Sequence, residues 1–139
     1  MIAFDSDVLT DILRGVPRYV QRAAAIPSTD QSIPVVVVEE VQRGWLNAIR
    51  RAESGKGKMT LEGAYAAFAS SFVRMAAYPI LPYTAGAEAL FQPWRRAKVK
   101  VGSQDMRIAA ICLDHGATLV TRNARDYARI PGFTFDVWT

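Results

Sequence analysis

VGSQDMRIAAICLDHGATLVTRNARDY, residues 101–127, reads as a helix, a tight turn, a strand and a short second helix. Ser103 is a good N-cap, because its hydroxyl can accept from a free backbone N–H at the start of a helix. Asp105 then falls in the first turn, and the helix runs to a stop at Gly116, where a left-handed residue is needed. Residues 117–120 are a short apolar run of the kind that forms a buried parallel strand. Thr121, Arg122 and Asn123 follow at its carboxyl end, the edge at which open α/β sheets bind ligands. An acid opening one element and polar groups closing the next predict a site.

The 139 residues are long enough for one domain, residues 1–139, that buries roughly two-thirds of its unfolded surface. Half of them are hydrophobic, which excludes a disordered chain. No apolar run approaches the roughly 20 residues of a membrane-spanning helix. The opening MIAFDSDVL has an acid at its fifth residue and no basic lead-in, so no secretory signal is expected. A single cysteine, Cys112, excludes an internal disulfide and suits a reducing cytoplasm; inside its helix it reads as a small core residue. The net charge of +4 becomes more basic still over the rest of the surface if several acids share one pocket. A basic shell around an acidic centre suits a polyanion such as nucleic acid, and equally an ordinary basic protein.

Along the chain, residues 2–4 form a short strand ending on Asp5-Ser6-Asp7, with a helix after them that stops at Gly15. One reading makes Ser6 or Asp7 its cap and the other makes Asp5 a ligand projecting from the strand end; this stretch alone favours the cap. Pro17 starts a second helix. Residues 33–38 contain four consecutive valines, which resist helix and predict a strand buried on both faces. That strand runs into Glu39-Glu40 at the start of a third helix, where acids oppose the positive end of the dipole. Thr60 caps a long helix whose Leu61, Tyr65, Phe68, Phe72 and Met75 make an apolar stripe, either core or subunit interface, beside alanines that permit close packing. Residues 78–81 form a third strand, and residues 84–97 a helix that Pro93 should kink or end early. The basic run Arg95, Arg96, Lys98 and Lys100 leads into Gly102, and with Arg122 it is the candidate RNA-binding surface. Residues 133–138 close the chain as an edge strand. His115, alone in a last helical turn, reads as a complement to the dipole rather than a metal ligand.

Alternating strands and helices predict an α/β fold, a three-layer α/β/α sandwich with a mainly parallel central sheet and helices on both faces. In such a sheet Asp5, Glu40 and Asp105, each at a strand end or in a first helical turn, converge with Asn123 and Asp126 at one edge. Two carboxylates 4 Å apart repel by about 4 kcal/mol at an effective dielectric of about 20. Three or four together need protonation or a cation. All-oxygen ligands favour Mg²⁺ or Mn²⁺ over Zn²⁺. Such an ion lowers the pKa of a water and offsets charge on a phosphodiester.

FDSDVL, then EVQRG after the valines, then GSQDMRIAA, then LVTRNARDY with IPG close behind, resemble the PIN domain in order and spacing. Within that family the chain looks like a VapC-type toxin ribonuclease of a toxin–antitoxin pair, nearly end to end, most loosely over residues 52–100. The resemblance implies a Mg²⁺- or Mn²⁺-dependent endoribonuclease with an RNA substrate, a homodimer, inhibited by a cognate antitoxin whose tail reaches the acidic pocket. It implies that Asp5 and Asp105 ligate the metal and that Glu40, with Gly44 at the family's spacing behind it, ligates or orients water; Glu39 has no such role. Asn123 stands where many members carry aspartate, so Asn123 or Asp126 completes the shell. Ser6 and Thr121 match positions that hold water on the metal.

Two other readings compete. FDSDVLT also resembles the nucleophile loop of haloacid dehalogenase-type phosphatases, in which Asp5 would become the aspartyl-phosphate and Asp7 the acid–base. That reading leaves Glu40 without a purpose and finds no later lysine motif. The other is a non-catalytic PIN-like module that binds RNA or protein, against which the intact acids argue.

Overall fold

A computed structural model describes residues 1–139. Five short strands, β1 (Ile2–Phe4), β2 (Gln31–Pro34), β3 (Ile80–Leu81), β4 (Thr118–Thr121) and β5 (Phe135–Val137), form one sheet in the order β3-β2-β1-β4-β5. Every pairing is parallel. The helices are α1 (Ser6–Leu13), α2 (Pro17–Ala24), α3 (Val35–Glu53), α4 (Leu61–Met75), α5 (Ala85–Arg96), α6 (Ser103–His115) and α7 (Ala124–Tyr127). Right-handed crossovers put α1–α4 on one face of the sheet and α5–α7 on the other, which gives the expected three layers. The chain steps from β1 outward through β2 to β3, then returns to place β4 on the opposite side of β1. The strand order therefore reverses between β1 and β4, and that is where a crevice opens beyond the carboxyl ends.

The core is continuous across the sheet. Phe4, Ile33, Leu119 and Val120 from the strands meet Leu9, Ile108, Ile111 and Tyr127 from the helices, all at most 1 % exposed. No helix is long and apolar enough to cross a membrane.

The valines overturn one expectation. β2 ends at Pro34, and Val35–Val38 are the first turn of α3. Pro34 has the extended backbone of an N-cap (φ −61°, ψ 141°). The first N–H groups of a helix need no intrahelical partner, so β-branched residues there give up only a few tenths of a kcal/mol each. Burial of Val36 and Val37, with Val35 and Val38 packed against the core, outweighs that preference. Glu40 consequently lies in the second turn of α3 rather than at a strand end.

Smaller differences share a local cause. Gly102, not Ser103, is the N-cap of α6, and no side chain caps it. The stop at Gly116 is as expected, with φ +66°. Helix α5 continues past Pro93 to Arg96, giving up the one bond that the absent N–H of Pro93 would make. In α4 the inward side is Ala64, Ser71 and Met75, which lets the helix pack closely on α3. Leu61, Tyr65 and Phe72 face outward at 39, 51 and 53 % exposure, so most of the stripe is surface, not core.

Thr84 ties α5 to α6. Its hydroxyl oxygen accepts from Ala87 N–H at 3.1 Å, and its hydroxyl donates to Asp114 Oδ2 at 2.5 Å. Gly86 leaves the space the Asp114 carboxylate occupies, which a Cβ would invade. Thr84→Ala is expected to lower stability by about 1–2 kcal/mol, the range for lost caps, read as an earlier urea midpoint at unchanged slope.

Candidate active site

Asp5 follows β1 directly and caps α1. Its Oδ1 accepts from Ser6 N–H at 2.8 Å and its Oδ2 from the Thr121 hydroxyl at 2.7 Å. The Thr121 oxygen also accepts from Asn123 N–H at 2.9 Å, so the ends of β1 and β4 are joined through one hydroxyl. Asp5 is 4 % exposed, and burial pushes its carboxyl up to about 7 against the pull of Thr121, with Asp7 and Asp105 raising it further.

Asp105 sits in the first turn of α6. Its Oδ1 accepts from the fully buried Tyr127 phenol at 3.4 Å, and its Oδ2 from Asn123 Nδ2 at 3.5 Å. Burial raises its pKa, Tyr127 lowers it, and Asp126 and Asp7 raise it. Glu40 is raised by burial first and Asp105 second, while the Ser6 hydroxyl lowers it. Its Oε1 is buried without a hydrogen-bond partner. Carboxylates from the end of β1, from α3 and from α6 therefore meet around Asp105, which makes both Asp5 and Glu40 harder to ionise.

A sequence profile described as PIN domain matches residues 2–132. The chain belongs to the PIN-domain family. Solved structures share the fold at low identity. FitAcB from Neisseria gonorrhoeae matches at 18 % identity and TM-score 0.77, covering 100 % of this chain and 97 % of that one. DNA-bound VapBC from Salmonella typhimurium matches at 19 % and 0.75 over 100 % of both chains. A toxin–antitoxin complex from Klebsiella pneumoniae matches at 22 % and 0.69, over 100 % of this chain and 97 % of that one. No curated protein sequence matches. Membership of the PIN family removes the phosphatase reading, and Asp7 has other partners: its Oδ1 accepts from Val8 N–H at 2.6 Å and its Oδ2 from Arg122 N–H at 3.1 Å.

The remaining PIN-type positions behave differently from one another. Asn123 caps α7, its Oδ1 accepting from Asp126 N–H at 3.4 Å. Its amide nitrogen donates to Asp126 Oδ2 at 3.0 Å and to Asp105 Oδ2 at 3.5 Å. In this arrangement Asn123 is a neutral bridge between two acids rather than a carbonyl offered to a cation. No group of three or more His, Cys, Asp or Glu side chains stands ready to hold a metal ion. Closing Asp5, Glu40 and Asp105 around one requires side-chain movement. The donor set nonetheless fits: it is all oxygen, and the partnerless Glu40 Oε1 is a buried acceptor that a cation would satisfy.

Two grooves meet at Glu40. One is polar, lined by Glu39, Glu40, Arg43, Asp105 and Arg107. The other runs between α1, α3 and α4, with Asp7, Asp11 and Arg122 at one part and Leu13, Trp45 and Met59 at another. The basic run does not line either groove: Arg95, Arg96, Lys98 and Lys100 are exposed on and after the last turn of α5. Arg122 is held by Asp11 at 2.8 Å and Asp7 at 4.0 Å. Arg43, Arg107 and the Tyr127 bond to Asp105 went unread in the sequence. Arg43 has one visible signal, its i,i+4 spacing from Glu39; Arg107 has none, because its groove exists only once α3 and α6 are side by side.

Proposed function

We propose that this PIN domain is a Mg²⁺- or Mn²⁺-dependent endoribonuclease, the toxin of a toxin–antitoxin pair, working as a cytoplasmic homodimer until a cognate antitoxin blocks it. PIN domains are generally nucleases. The observation that carries the metal-dependent reading is the buried, partnerless Glu40 Oε1 beside Asp105, with Asp5 raised by burial and then by Asp7 and Asp105. Asp5, Asp105 and Glu40 would hold the ion, with Asp126 or Asn123 completing its surroundings. When bound, the ion supplies an activated water and neutralises charge building on the phosphodiester. The protein's own part is orientation. Thr121 and the Ser6 N–H fix both oxygens of Asp5, and Tyr127 steadies Asp105. Glu40, its proton affinity raised by burial, would orient the attacking water and take up its proton as the P–O bond breaks, the leaving ribose oxygen gaining a proton from solvent.

The antitoxin reading draws on the second groove. Its apolar part, Leu13, Trp45 and Met59, is a surface that suits a protein partner rather than RNA. The same groove reaches Glu40, so a segment lying in it would cover the acids. Toxin–antitoxin complexes are among the solved structures that share this fold, in keeping with such a partner.

The test is cleavage of RNA by purified, antitoxin-free protein with Mn²⁺, stopped by EDTA. RNA left intact would favour a binding module. Asn123→Asp adds a charge between Asp105 and Asp126, where an amide now bridges them. It is expected to lower metal-free stability by about 1–3 kcal/mol. Mn²⁺ should recover more stability in this variant than in the wild type, which parallel thermal melts would show.

A further inference from the structure

A hydrogen-bonded string crosses the polar groove from α3 to α6. Arg43 Nη2 donates to Glu39 Oε2 at 2.5 Å, Gln104 Nε2 donates to Glu39 Oε1 at 2.7 Å, and Arg107 Nη1 donates to Gln104 Oε1 at 3.0 Å. Glu39 immediately precedes Glu40, and Gln104 immediately precedes Asp105, so the string lies one residue away from the acids on both helices. Both oxygens of Glu39 are engaged in the string.

We propose that Arg43 and Arg107 are the phosphate-binding rim of this groove, gripping the backbone phosphates on either side of the one to be cut. The proposal rests on the nuclease reading above and names residues that grip the substrate there. Three observations carry it. First, neither arginine is enclosed by acids: Arg43 pairs with Glu39 alone and Arg107 makes no salt bridge, whereas Arg122 is held between Asp11 and Asp7. Second, both arginines are braced. Arg43 is held by Glu39, and the Arg107 guanidinium lies 4.8 Å over the Phe91 ring while bonded to Gln104. A braced guanidinium gives up less freedom on gripping an anion, and each has donors beyond the one its anchor uses. Third, only Val36 and Tyr83 among the groove's lining residues are hydrophobic, which suits a polyanionic chain and not an apolar helix.

The test is salt-dependent binding of a fluorescently labelled single-stranded 12-nucleotide RNA in EDTA, followed by anisotropy. Arg43→Ala/Arg107→Ala is compared with wild type and with Arg51→Ala, an exposed arginine farther along α3. Losing two phosphate contacts should lower the slope of log affinity against log salt by about 1.4, at about 0.7 per contact, with Arg51→Ala unchanged. Arg43→Lys/Arg107→Lys, which retains the charge, should hold most of the slope and lose part of the affinity. It also serves if the alanine pair does not fold. An unchanged slope in the alanine pair, with wild type cutting RNA in Mn²⁺, overturns the rim and leaves the nuclease standing. A reduced slope, with wild-type RNA intact in Mn²⁺, supports the rim as an RNA grip and rejects the nuclease. No RNA binding by wild type overturns the rim.

Discussion

Asp105→Asn is expected to reduce RNA cleavage more than about 100-fold while leaving the fold intact. Asp105 is the acid to which the others are coupled: Glu40 and Asp5 are both raised by it, and Tyr127 and Asn123 both reach it. Groups that only orient a metal's ligands are worth about 10–100-fold, so loss of a ligand should exceed that. The asparagine can still accept from Tyr127, so melting should stay within about 1 kcal/mol of wild type. Single-turnover cleavage in Mn²⁺ measures the effect. Activity within tenfold of wild type would mean that Asp105 does not take part.

Asp5→Asn should show the opposite pairing, inactive yet more stable without metal. Burial holds the Asp5 carboxyl at about 7, against 3.8 when solvated. An acid raised on folding favours the folded state while protonated. Its contribution is most favourable below the unfolded pKa, and stability is lost progressively from about pH 4 to about pH 7. Above that range the group destabilises the metal-free fold by about 4 kcal/mol, at about 1.4 kcal/mol per pKa unit. Asparagine removes the charge but keeps an oxygen for Thr121. In EDTA the variant should therefore exceed wild type by about 2–4 kcal/mol at pH 8, and the gain should shrink toward zero near pH 4. Urea titrations at pH 8 and pH 4.5 check it. A variant less stable than wild type at pH 8 would show that the Thr121 and Ser6 bonds outweigh the buried charge.

What was legible in the sequence follows from how local each cause is. Asp5 beside β1, Asp105 in the first turn of α6 and the left-handed stop at Gly116 are set by neighbours within a few residues, and they stand where the sequence put them. The four valines misled because β-branching is a small local preference, whereas the turn they form is held by the core it buries. The stripe on α4 has the right period, but a period cannot say which side faces inward; the small Ala64 and Ser71 do. Asn123 showed that the fourth acid was missing, but not that its amide would join Asp105 to Asp126. The basic run adjoins Gly102 in the chain but lines neither groove. Arg43 and Arg107 line the groove because α3 and α6 come together across it, over a separation no local pattern encodes.

The most direct measurement is anomalous diffraction from crystals soaked in Mn²⁺. One peak should appear at about 2.0–2.2 Å from oxygens of Asp5 and Asp105, with Glu40 drawn toward it and its buried Oε1 no longer without a partner. A peak elsewhere on the surface, or none at millimolar Mn²⁺ with Glu40 unmoved, would contradict the account.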